Sequence, residues 1–205
     1  MKKVIVYDCD GVLFDSSLAV KAYYDHVFEK FELSMPDWSD PKTFELAMMS
    51  TNSEIIGHFC KDEKKFNAIM EFATKLNFRM FLDKMIPAAG VFEALEKLKS
   101  EGHKMAVCTN RGVSIDPLLK HFKMYDYFDR LVCSFDVVRP KPHPEGLNKI
   151  AEHFSVHKRN MLFLGDSEAD YKAAKGANMP FLSFGSSLHE SIRIDNHMEV
   201  FKHLT

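Results

Sequence analysis

The sequence predicts an α/β fold: a parallel, Rossmann-like sheet of about five strands flanked by helices, with a small all-helical segment inserted after the first strand. Three observations predict it. Short apolar runs occur near residue 4 and again from residue 104 onward, each ending in polar or charged residues. Helix-like stretches separate the later runs, as parallel pairing requires. Residues 16–85 carry helical periodicity and no strand-like run, so they cannot extend the sheet.

The first strand is Val4, Ile5, Val6 and Tyr7, a run rich in β-branched residues. Ser16 or Ser17 then caps a helix carrying Val20, Tyr24, Phe28 and Phe31, which Met35, Pro36 and Asp37 stop. Residues 52–59 and 61–81 read as further helices. The organisation expected is a core of residues 1–15 and 86–205, with 16–85 as a separate helical domain. Within the core, a helix over 90–99 ends at Gly102. Strands are expected at 104–108, 131–133, 161–164 and 181–184, and helices at 114–122, 144–153, 168–175 and 187–192.

A length of 205 residues suits one core domain and a smaller second one. The balance of 27 Lys and Arg against 29 Asp and Glu, a formal charge of -2, argues against a nucleic-acid or membrane-surface binder. The first apolar run is broken at Asp8, too early for a signal peptide, and no later run is long enough to span a bilayer; the expected location is the cytoplasm. Cys9, Cys60, Cys108 and Cys133 lack metal-ligand spacing and read as reduced thiols.

Chemistry concentrates where the strands run out. Asp8 and Asp10 follow the first strand, where a crevice at the carboxyl edge of a parallel sheet receives ligands. Two carboxylates in such a pocket repel each other unless a cation is bound or one keeps its proton. With Mg2+ present, Asp8 can act as nucleophile and Asp10 as general acid and base; a cap or a solvated turn is the competing use of the same pair. Gly11 lets the backbone turn and approach a ligand closely. Thr109 and Asn110 place a hydroxyl and an amide at a second strand end. Pro140 and Pro142 stiffen the loop that carries Lys141, a fixed point charge. Asp166 and Asp170 supply oxygen ligands of the type Mg2+ prefers. A rival, the Cys133-x5-Arg139 spacing, lacks the small residues a phosphate-ringing loop needs.

These four segments together resemble the motifs of the haloacid dehalogenase superfamily of phosphohydrolases, and Val12, Asp15 and Ser16 are most similar to its phosphoglycolate phosphatase-like branch. The resemblance implies that Asp8 attacks phosphorus to give an aspartyl phosphate and that Asp10 protonates the leaving oxygen and then activates water. It implies phosphate binding by Gly11, Thr109, Asn110 and Lys141. It places Mg2+ on Asp8, the Asp10 carbonyl and Asp166, with Asp170 behind them. Arg111, next in sequence, either reaches the non-phosphate end of the substrate or forms a surface salt bridge. Residues 16–85 would be the helical C1-type cap. The implied partner is a small phosphorylated metabolite, with no nucleic acid or membrane, and the protein would be a monomer or dimer. A β-phosphoglucomutase-like phosphotransferase shares the motifs, and a phospho-aspartate receiver-like regulator shares part of the pattern.

Overall fold

The computed structural model describes residues 2–204, with Met49 described by its backbone alone. In chain order, β1 (Val4–Tyr7) and β2 (Phe14–Asp15) precede the helices α1 (Ser17–Lys30), α2 (Pro41–Met49), α3 (Asn52–Phe59) and α4 (Glu63–Lys75). After β3 (Ile86–Pro87) come α5 (Val91–Ser100), β4 (Lys104–Cys108), α6 (Ile115–His121), β5 (Arg130–Val132) and α7 (Glu145–Phe154). The chain then runs through β6 (Met161–Gly165), α8 (Glu168–Ala177), β7 (Phe181–Phe184) and β8 (Ile192–Ile194). Two compact units result, Met1–Asp15 with Ile86–Thr205, and Ser16–Met85.

The α/β unit is built on a six-stranded sheet in the order β5-β4-β1-β6-β7-β8, parallel throughout. All four residues of β1 are buried, because strands pair with it on both sides and helices cover both faces. Alternation along β1 sends Val4 and Val6 to one face, where they meet Leu147 and Ile150 of α7 and Ala173, Ala174 and Ala177 of α8. The chain works outward from β1 through β4 to β5, then crosses back to β6 and works outward the other way. The order reverses between β1 and β6, so a crevice opens at their carboxyl ends. A separate antiparallel pair joins β2 to β3.

In the helical unit, α1 buries Ala19, Tyr23, Tyr24, Val27 and Phe28, and the Tyr23 hydroxyl donates to the Ala73 carbonyl of α4 at 3.0 Å. The capping box of α3 unites Thr51 and Glu54.

Three expectations need correction. No helix forms over 187–192: residues 187–191 are turn and coil, and a sixth strand, β8, begins at Ile192 and pairs Ile192–Ile194 with Leu182–Phe184. The helix expected over 61–81 is interrupted, because Asn77 accepts a hydrogen bond from the Arg79 amide and starts a 3-10 helix over Phe78–Lys84. An unanticipated helix, α2, begins at Pro41, with Asp40 accepting hydrogen bonds from the Lys42 and Thr43 amides. Among the described residues no helix is long and apolar enough to cross a membrane.

Candidate active site

The crevice at the β1/β6 reversal gathers polar side chains from four strand ends. Asp8 leaves β1 with its amide still in the ladder, donating to the Leu164 carbonyl of β6 at 2.9 Å. Thr109 extends β4 in the same way, its amide donating to the Val132 carbonyl at 3.0 Å. Asp166 follows β6 directly, and Lys141 arrives on the loop between β5 and α7. The sheet therefore fixes the backbone under Asp8 and Thr109, while turns carry the rest.

Lys141 is the electrostatic centre. Its buried ammonium lies 2.7 Å from Asp8 Oδ1 and 2.5 Å from Asp170 Oδ1. Burial opposes its charge, but Asp8 and Asp170 together outweigh burial and hold the ammonium above its ordinary range. Asp170 is fixed on its other oxygen by the Ser167 hydroxyl at 2.6 Å and the Ser167 amide at 3.2 Å, half of the capping box that starts α8. The Ser-x-x-Asp spacing of Ser167 and Asp170 is the sequence signal for that lock.

One cation does not satisfy this set of carboxylates. Oxygens of Asp8, Asp166 and Asp170 all lie within 4.8 Å of one another. Burial, and after it the charge of Asp170, raises Asp8 to about 8 and Asp166 to about 7. The buried Asp8 Oδ1 has the Lys141 ammonium, 2.7 Å away, as its neighbouring charge, and Lys141 divides that charge with Asp170. An all-oxygen cluster of three carboxylates sharing one ammonium, two of them raised by burial and mutual repulsion, fits a hard divalent cation.

Gly11 shapes this cluster through what it lacks. A Cβ there would stand 1.8 Å from Asp166 Oδ2, and its φ of +77° lies in the left-handed region. Its amide donates to the Phe14 carbonyl at 2.8 Å.

Asn110 and Arg111 also engage the protein. The Asn110 side chain donates to the Lys141 carbonyl and accepts from the Lys141 amide, 2.9 Å each way, tying the β4 loop to the lysine's backbone rather than pointing an amide at substrate. Arg111 places Nε and Nη2 on the two oxygens of Asp10, with Nε at 3.1 Å. Its amide donates to Thr109 Oγ1 at 3.0 Å. The sequence offered no signal for either pairing, since the partners come from different loops.

The rival loop at Cys133 is not a phosphate cradle. Asp136 Oδ2 accepts from the Cys133 amide at 2.8 Å, and Glu145 accepts from the amides of Val138 and Arg139. Carboxylates already occupy donors that an anion would need, and burial with Asp136 pushes the Cys133 thiol up, away from a nucleophilic thiolate.

The family model described as "Haloacid dehalogenase-like hydrolase" matches residues 5–184. A phosphoglycolate phosphatase from Nitrosococcus oceani is 28% identical over 205 residues, covering 93% of this chain and 88% of that protein. The pyrophosphatase PpaX from Oceanobacillus iheyensis is 23% identical, covering 92% of this chain and 86% of that protein. Among solved structures, a HAD-superfamily hydrolase, subfamily IA, variant 1, from Geobacter sulfurreducens superimposes with a TM-score of 0.90 at 33% identity, covering 100% of this chain and 97% of that one.

Proposed function

The chain belongs to the haloacid dehalogenase-like hydrolase family, as a phosphohydrolase, and within it we propose a Mg2+-dependent phosphatase that cleaves a small phosphomonoester of the phosphoglycolate kind through an aspartyl phosphate on Asp8. The observation that carries this reading is the buried Asp8 carboxylate at the end of β1, held beside Lys141 and within a cluster of acidic oxygens.

Each step uses groups this chain supplies. An Asp8 oxygen attacks phosphorus while the bond from phosphorus to the leaving oxygen breaks, and that oxygen takes a proton from the Asp10 carboxyl. Water then attacks the aspartyl phosphate and gives a proton to the Asp10 carboxylate. The bond from phosphorus to Asp8 breaks, releasing inorganic phosphate and regenerating the nucleophile. Lys141 faces the negative charge on the phosphoryl oxygens, and the Thr109 hydroxyl donates to one of them. Held by Asp8, the Asp10 carbonyl and Asp166, Mg2+ when bound supplies charge neutralisation at the transferring group. Asp170 holds the ammonium of Lys141 in place. We read the unit over 16–85 as the helical cap domain.

The test is phosphate release from 2-phosphoglycolate, pyrophosphate and p-nitrophenyl phosphate, with and without Mg2+, for the parent and Asp8→Asn. Release that needs Mg2+ and is lost in the variant is the expected result. No release from any ester, or a fully active Asp8→Asn protein, overturns the proposal.

A further inference from the structure

Arg111 stands immediately after the strand-end Thr109 and Asn110, where a cation is naturally read as a substrate anchor. Its geometry says otherwise. Its side chain is 8% exposed, whereas that of its partner Asp10 is 36% exposed, so the arginine lies beneath the carboxylate and the carboxylate faces outward. Nε and Nη2 take the two oxygens of Asp10 as a fork, and Nη1 stands 3.5 Å from the Ser114 hydroxyl at the start of α6. The Arg111 amide is fixed on Thr109 Oγ1 and its carbonyl accepts from the Ser134 amide at 3.2 Å. The guanidinium is therefore held from its backbone outward, and its fork fixes both torsions of a short side chain.

We propose that Arg111 is a positioning residue for Asp10: it sets the carboxylate's orientation for proton delivery to the leaving oxygen and for proton removal from water, and it does not anchor the substrate. This rests on the phosphatase reading above. A freely rotating aspartate on the turn at Gly11 would present its oxygens in several directions, and misplacement of a catalytic group by about 1 Å costs on the order of 100-fold in rate. Lysine cannot replace the fork, because a point charge grips one oxygen and leaves the other free.

The leaving group separates this role from the alternatives. The value of kcat/KM reports events up to departure of the leaving group, and p-nitrophenolate departs without a proton while an alkoxide does not. For Arg111→Ala, kcat/KM for 2-phosphoglycolate should fall about 10- to 100-fold, while that for p-nitrophenyl phosphate falls less than about 3-fold. The value of kcat should drop for both esters, because both share the water step. Arg111→Lys should lie between parent and Arg111→Ala, and circular dichroism confirms that each variant is folded. A raised KM for 2-phosphoglycolate with unchanged kcat would make Arg111 a substrate anchor and overturn the proposal. Equal loss of kcat/KM on both esters would reduce Arg111 to a structural residue and overturn the proposal as well. A parent protein inactive on both esters overturns the phosphatase reading itself, a result distinct from either.

Discussion

Asn110 and Lys141 are joined by a reciprocal pair of hydrogen bonds, side-chain amide to main chain, each 2.9 Å long. The clamp fixes the backbone from which the Lys141 side chain reaches Asp8. Asn110→Ala should cost about 1 kcal/mol for each bond lost and lower kcat about 10-fold or more, with a small change in KM. Steady-state kinetics and urea unfolding measure the two effects. A variant with parental kcat would mean that the proline-stiffened loop holds Lys141 unaided.

Gly11 is the position where substitution should act on the metal. A methyl group there would collide with Asp166 Oδ2 on a backbone at φ +77°, adding about 1–2 kcal/mol of strain to the steric conflict. Gly11→Ala should raise the Mg2+ concentration needed for half-maximal activity at least about 10-fold. Titration of Mg2+ against phosphate release reads this directly. An unshifted curve would show that Asp166 can move aside without consequence.

Removal of Lys141 should destabilise the protein more than removal of its partners. Lys141→Met leaves Asp8 and Asp170 facing each other in a buried site without their shared cation, a loss of about 3–5 kcal/mol. Adding Asp170→Asn in the same chain should restore part of that stability while activity stays lost. Denaturation midpoints of the single and double variants decide this, and simple additivity would sever the proposed coupling.

Packed on Tyr7, the residue before Asp8, His197 is a buried, neutral imidazole. It bonds the Val12 carbonyl at 2.9 Å, stacks on Phe184, and burial lowers it to about 4 from an ordinary 6.5. Between those values the unfolded chain takes up a proton that the folded protein refuses, so stability is present above pH 6.5 and declines as pH falls toward 4. His197→Phe should flatten the dependence of the unfolding midpoint over that window. Parallel curves for parent and variant would assign the acid sensitivity elsewhere.

The strand-end residues were legible because a buried strand announces itself as an apolar run and the polar residues follow at once. Val4–Tyr7 before Asp8, and Met161–Gly165 before Asp166, are of this kind. The strand β8 was not legible: it is three residues long, lies at the sheet edge, and exposes Ile192 and Arg193, so it has neither a sustained run nor clear alternation. The start of α2 does carry a local signal, the Asp40 cap followed at once by Pro41. Pairings of Arg111 with Asp10 and of Asn110 with Lys141 depend on how separate loops converge in space. Local sequence specifies the donors and acceptors, while the sheet order decides which of them meet.

The amide of Asp8 is bonded across to β6, so the attacking residue is tethered to the central ladder. Asp10, Lys141 and Asp166 lie beyond the strand ends, where Asp10 and Lys141 are held by side-chain partners instead. The nucleophile is thus the still point of the reaction cycle: the residue to which the phosphoryl group is transferred takes its place from the most enclosed strand of the sheet.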